Sequence, residues 1–172
     1  MSTMTPSQEQ AVKAAAPELV ITRVFDAPRA LVWRAWTEPE HFKKWWGPKN
    51  FSAPVAKIDL RVGGALLWCM RGPAGQDFWT TGVYREIVPI ERLVYTDSRA
   101  DEKGNRVPAS QLGLPGDWPA EAVVTVTFEE QGGGTKLTLR QVGIPASHSE
   151  MVRAGWNENQ PTQGGVNCFS LC

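Results

Sequence analysis

Eight tryptophans in 172 residues, on a chain whose longer apolar runs alternate as strands do, limit what this sequence can fold into. Trp33, Trp36, Trp45, Trp46, Trp68, Trp79, Trp118 and Trp156 each bring a large apolar surface and one N–H that wants an acceptor when buried. That much ring surface needs a deep interior, and a chain of this length supplies a single sizeable core. Such rings either fill the space between helices and a curved sheet or line a pocket that stays partly hollow. The set reads as a partly hollow, aromatic-lined interior, with Trp33 and Trp36 assigned to packing.

Charge removes other classes of function. Lys plus Arg and Asp plus Glu number 18 each, and no segment carries a basic run. The chain has no field to draw nucleic acid or an anionic membrane, so neither is expected as a partner. No apolar stretch reaches the roughly 20 residues that span a bilayer. The start lacks the basic, apolar and small-residue pattern of a signal peptide, so a cytoplasmic protein is expected. Cys69, Cys168 and Cys172 make no disulfide framework, and no His or Cys cluster has zinc spacing; neither metal nor cofactor is expected.

Three parts are expected: a flexible leader over 1–17, one domain over 18–160 and an irregular tail over 161–172. Glu18 to Phe25 alternates as a strand. Asp26-Ala27-Pro28 starts a helix in which Leu31, Val32, Ala35 and Trp36 share a face, and Thr37-Glu38-Pro39 ends it and starts another. There Phe42, Trp45 and Trp46 fall at i, i+3 and i+4, and Gly47-Pro48 closes the helix. Strands are predicted at Val55–Val62, Ala65–Met70, Phe78–Val88, Leu93–Ser98, Val123–Glu130 and Thr135–Gln141, the last two forming a hairpin around Gly132-Gly133-Gly134. Arg99 to Pro119 is a long Gly-, Pro- and charge-rich loop of the kind often functional or mobile. A last helix opens at Ser147 with Glu150 as its capping-box partner, places Met151, Val152, Gly155 and Trp156 on one face, and stops at Pro161. The order predicts an α+β fold, a curved antiparallel sheet of about six or seven strands with helices over one face.

Chemistry is thinly supplied. His41 reads as a surface residue and His148 as a solvated or capping one, and there is no nucleophile elbow. Gly132 to Gly134 join two strands and are no phosphate cradle. Asp59 and Arg61 read as a surface ion pair, either with each other or with Arg23. No residue is assigned as catalytic; Tyr95, Asp97, Arg99 and His148 are the few groups that could act as acid or base. The binding candidates are aromatic and apolar: Phe42, Trp45 and Trp46 from the short helices; Leu66, Trp68 and Met70 from one strand face; Trp79, Tyr95 and Trp118 beside the loops; Met151 and Trp156 from the last helix. They suit a hydrophobic or aromatic small molecule. A monomer or homodimer is expected.

Five segments carry a resemblance: Trp33-Arg34-Ala35-Trp36-Thr37, Trp45-Trp46-Gly47-Pro48, Ile58-Asp59-Leu60-Arg61-Val62-Gly63-Gly64, Gly82-Val83-Tyr84-Arg85-Glu86-Ile87 and Glu91-Arg92-Leu93-Val94-Tyr95. Together they resemble the START-related, helix-grip (SRPBCC) superfamily, and within it the bacterial homologues of the C-terminal domain of the activator of heat-shock-protein-90 ATPase. The resemblance runs from about Glu18 to Glu158 and implies a sheet gripping a C-terminal helix across a cavity. It also implies two alternatives to plain ligand binding: a chaperone-interacting, stress-response module, or an enzyme like the superfamily's polyketide cyclases and aromatases. The family's last helix runs on where this sequence has Asn159-Gln160-Pro161.

Overall fold

The computed structural model describes residues 18–46, 50–112, 121–144, 150 and 152–154. Strand β1 (Glu18–Phe25) leads into helices α1 (Arg29–Thr37) and α2 (Pro39–Trp45). Then come β2 (Ser52–Ile58), β3 (Ala65–Arg71), β4 (Asp77–Val88), β5 (Arg92–Ala100), β6 (Ala122–Gln131) and β7 (Gly134–Val142). All seven strands form one antiparallel sheet in the order β1-β7-β6-β5-β4-β3-β2. Strands β2 to β7 are a meander of neighbours, while β1 lies at the far edge against β7. The two helices therefore carry the chain from one edge of the sheet to the other, and α2 packs beside β2.

Two prolines shape that crossing. Pro28 precedes α1 in an extended conformation, and its carbonyl accepts from Leu31 and Val32. Pro39 opens α2 and has no N–H, so the Ala35 carbonyl four residues back loses its helical donor. The indole of Trp45 supplies it instead, Nε1 donating to the Ala35 carbonyl oxygen at 2.8 Å. Pro54 sits on the edge strand β2 beside a register shift between Ser52 and Val55, where a missing donor disturbs no second neighbour.

The strand expected over Val55–Val62 ends at Ile58. The alternation of Asp59, Leu60, Arg61 and Val62 continues the strand pattern, but the backbone there turns back on itself. Arg61 N–H donates to the Asp59 carbonyl and Gly64 N–H to the Arg61 carbonyl. The two glycines dictate this: Gly63 has φ +83°, and any side chain on Gly64 would strike the Asp59 carbonyl. Leu60 and Val62 are left exposed as a result.

The region after β5 is also more ordered than a long loop suggests. Asp101 accepts from the backbone N–H groups of Lys103 and Asn105, each at 2.9 Å, and those bonds hold its carboxyl below the usual range. Arg106 bridges back to Ala100, and a short 3-10 turn spans Ala109–Leu112. Gly104 of this segment rests on Leu67 and Thr81, covering the outer face of β3 and β4. The hairpin expected around Gly132-Gly133-Gly134 turns on two residues, Gly132 and Gly133 at φ +56° and +82°, while Gly134, already in β7, pairs with Gln131.

The inner face of the sheet and the two helices enclose the core. Leu66 and Trp68 of β3, Leu93 and Tyr95 of β5, Val124 and Val126 of β6, and Leu137 and Leu139 of β7 are all buried there. Trp33 of α1 packs edge-on against Phe128 of β6, ring centroids 5.4 Å apart. Glu150 and 152–154 are helical; Val152 packs on the core, and Arg153 Nη1 donates to the Val20 carbonyl of β1 at 3.0 Å. The leader, the Gly47-Pro48 stop, the first turn of the last helix, its proposed end at Pro161 and the tail lie outside the described residues.

Candidate functional site

A continuous chain of rings crosses from the helices to the middle of the sheet. Trp36 meets Trp45 at 4.8 Å between centroids, and Trp45 meets Phe42 at 5.2 Å. Phe42 is sandwiched, stacking on Trp46 at 4.7 Å and on Trp68 at 4.6 Å. Trp68 then meets Tyr95 edge-on at 5.7 Å, and Tyr95 meets Tyr84 at 6.2 Å. Offset and edge-on pairs at these distances are the arrangements aromatic rings prefer.

This brings most of the expected residues together, with a difference in role along the chain. Phe42, Trp45, Trp46, Leu66, Trp68 and Tyr95 are all buried, and Met70 is half-buried against them. At the helix end the rings fill the space between α2 and β3. At the sheet end two polar atoms remain: Trp68 Nε1 and the Tyr95 hydroxyl are buried without a hydrogen-bond partner among the described residues. Ser98 Oγ shares that condition on the other face, where Ser98 pairs with Thr81.

Trp79 falls away from the group. It pairs with Cys69 and Ala100, so it lies on the face opposite Trp68. Its position follows from a bulge: Tyr84 pairs with Tyr95 and Glu86 with Val94, leaving Arg85 as an extra residue. An unbulged strand would set Trp79 and Ile87 on one face; the bulge sends Ile87 inward beside Leu93 and leaves Trp79 outward. Trp118, Met151, Trp156 and His148 lie outside the described residues.

The acidic and basic candidates divide in the same way. Asp97 and Arg99 follow Tyr95 on the inner face of β5, pairing respectively with Ala122 and Thr80. Burial pushes the Asp97 carboxyl above the usual carboxylate range, with Arg99 pulling the other way. Burial also holds the Tyr95 phenol well above its ordinary range, reinforced by the charge of Asp97 nearby and by Tyr84. Both tyrosines therefore stay protonated near neutral pH and keep their O–H donors. Asp59 and Arg61 pair with each other on the surface at 2.8 Å, and Arg92 reaches Glu86 at 3.4 Å. His41 sits on α2 beside Glu38 at 3.1 Å and is half-buried, with 16% of its side chain exposed, rather than on the open surface as expected.

Sequence reasoning missed Tyr84, whose inward direction depends on the same bulge, and Gly82. A side chain at Gly82 would strike the Thr96 carbonyl, so glycine alone permits the close approach of β4 to β5 beside Asp97. An open cleft of about 450 Å³ lies elsewhere, lined by Arg29, Val88, Glu91, Arg92, Thr127 to Glu130, and carries none of these groups. Among the described residues no three His, Cys, Asp or Glu side chains gather as a metal site, and no helix is long and apolar enough to cross a membrane. The inner face can pack an apolar body and offer hydrogen bonds from protonated groups; among the described residues it presents no nucleophile with an adjacent base.

An antiparallel sheet with two short helices after its first strand and a last helix packed on the core is the helix-grip architecture of the START-related superfamily. Within it, the chain belongs to the family described as activator of Hsp90 ATPase homolog 1-like proteins, whose model matches residues 26–161. Among solved structures, a crystal structure of a Chromobacterium violaceum protein is similar with 29% identity and a TM-score of 0.70, over 90% of this chain and 95% of that one. A solution structure of an Arthrobacter aurescens protein is 26% identical with a TM-score of 0.71, covering 84% of this chain and 81% of its own. The AHSA1 protein of Silicibacter pomeroyi, at 20% identity, shares the fold with a TM-score of 0.67 over 83% and 92% of the two chains. No curated protein sequence matches the chain.

Proposed function

We propose that the protein binds a hydrophobic or aromatic small molecule, without transforming it, between the inner face of the sheet and the last helix. One observation carries this reading: Trp68 and Tyr95 bury polar atoms that nothing among the described residues satisfies. A fully packed core rarely leaves two such groups side by side, since each costs about 1–3 kcal/mol when unmet. A binding site does, because its partner arrives with the ligand. Membership of this family and its helix-grip fold support the reading. A cytoplasmic protein is the setting this reading takes.

Tryptophan emission tests it, because Trp68 lies at the proposed contact. Titration with lipids, polyketides and aromatic metabolites is expected to give a saturable change for at least one aromatic class. A flat response throughout, from protein that is folded by circular dichroism, would remove the reading.

The family's own description supports a second reading, a module acting on a chaperone. Its test is separate: stimulation of a heat-shock-protein-90 ATPase by this chain, together with retention of the chaperone in a pull-down, would place chaperone binding ahead of small-molecule binding.

A further inference from the structure

The two unmet groups restrict what the ligand is. The indole Nε1 of Trp68 can donate a hydrogen bond and cannot accept one. The Tyr95 hydroxyl sits on a side chain 1% exposed, and Trp68 is 2% exposed, so bulk water does not reach either. Their rings stand 5.7 Å apart, edge to face, on adjacent parts of the inner sheet surface, with Phe42 and Trp46 behind Trp68. Two further groups set the charge. Asp97 lies two residues from Tyr95 on the same face of β5, near enough for its charge to act on the phenol. Arg99 follows on that face, in register with Thr80 and Trp68, so an acid and a base stand together and a neutral acceptor suits the surroundings better than an anion.

We propose that the ligand is an aromatic molecule carrying a neutral hydrogen-bond acceptor, a carbonyl oxygen of the ketone, quinone or lactone kind, that receives the Trp68 N–H and the Tyr95 O–H. The proposal rests on the binding reading above and adds the ligand's functional group. The flat body lies among the rings, where an apolar surface and edge-on contacts favour it. The carbonyl oxygen has two lone pairs, enough for both donors. Hydrogen bonding of this type supplies orientation and selectivity, since an analogue without the acceptor leaves both donors unmet.

Three probes of one shape separate the outcomes: 2-acetylnaphthalene, which has the carbonyl; 2-ethylnaphthalene, which lacks it; and 2-naphthoate, which replaces it with an anion. Calorimetric titration of the full chain is expected to show the ketone binding roughly tenfold more tightly than the ethyl compound, with the naphthoate weaker than the ketone. Tyr95→Phe keeps the ring and removes only the hydroxyl, whereas Trp68→Phe removes the N–H together with part of the indole that packs on Phe42, Trp46 and Tyr95. Both variants are expected to lose the preference for the ketone over the ethyl compound. The ligand-free stability of Tyr95→Phe is expected to match the native chain, because the atom removed has no hydrogen-bond partner among the described residues.

Equal affinity for ketone and ethyl compound would overturn the inference and leave the binding reading standing. Tightest binding of the naphthoate would overturn it in favour of an anionic ligand. No saturable binding of any of the three would remove the binding reading and the inference with it. A clear drop in ligand-free stability for Tyr95→Phe would show that its hydroxyl serves the fold, and would overturn the inference by a route that needs no probe.

Discussion

Two buried tryptophans, Trp45 on α2 and Trp68 on β3, look alike in sequence and in exposure, and differ in one bond. Trp45 donates to the Ala35 carbonyl that Pro39 leaves without a helical donor. Its ring is enclosed by Trp36, Phe42 and Trp46, so every part of it is spent on the fold. Trp68 stacks on Phe42 just as closely, yet its N–H has no described acceptor, and the Tyr95 hydroxyl beside it shares that state. The lesson is that bulk and burial do not separate core from site in an aromatic-rich interior. The fate of the polar atom is what sets the proposed site apart.

The comparison breaks most visibly at Phe42, the ring shared by both regions and wholly buried. Phe42→Ala is expected to cost about 3–5 kcal/mol in urea unfolding, since it empties the stack between Trp46 and Trp68. A loss below about 1 kcal/mol would mean that the space refills and that the stack is not what holds the helix end together. Trp45→Phe is the next largest. It keeps most of the ring but strands the Ala35 carbonyl, an expected loss of about 1–3 kcal/mol. If the same change at position 68 proved equally costly, the distinction between the two tryptophans would fail.

The smallest effect is read against pH. The folded-state pKa of Asp97 is raised, so the native chain holds this proton more tightly than the unfolded one. Where the two states differ, from the ordinary aspartate value up to the raised one, stability falls as pH rises. Above that window the full penalty of a buried charge is present, and below the ordinary value it vanishes. Asp97→Asn removes the ionisable group, so this variant is expected to be the more stable chain at neutral pH and to lose that advantage as the pH falls towards 4. Parallel stability curves for the two chains from neutral pH down to that value would show that the carboxyl is not desolvated.

Much of this could be read from the residues. Alternation placed the strands to within a few positions, and the Gly132-Gly133 turn and both helix starts followed from local backbone rules. Two errors share a cause. Asp59 to Val62 alternates as a strand and turns only because Gly63 and Gly64 take conformations that pattern does not encode. Trp79 sits on the outer face because one extra residue, Arg85, inverts the direction of every side chain on one side of it relative to the other. Bulges depend on how two strands meet, so a single strand's pattern does not announce them. The site was legible as an aromatic group and no further. That Trp45 is satisfied and Trp68 is not among the described residues depends on a proline six residues from one of them and on the sheet register of the other.

The placement of β1 has a consequence for how the chain reaches its fold. β2 to β7 form by pairing with sequence neighbours, through short connections except the longer one between β5 and β6, but β1 waits for β7: Ile21 pairs with Leu139, and Thr135 donates through its hydroxyl to the Ala27 carbonyl. On a ribosome the first strand to emerge is therefore the last to find its place. Until then Leu19, Ile21 and Phe25, all buried at the end, stand uncovered beside an open edge of β7. Long-range pairings of this kind slow folding and lengthen the time in which an unpaired strand can meet another chain. The step most exposed to misassembly is the docking of a strand made before any of its neighbours.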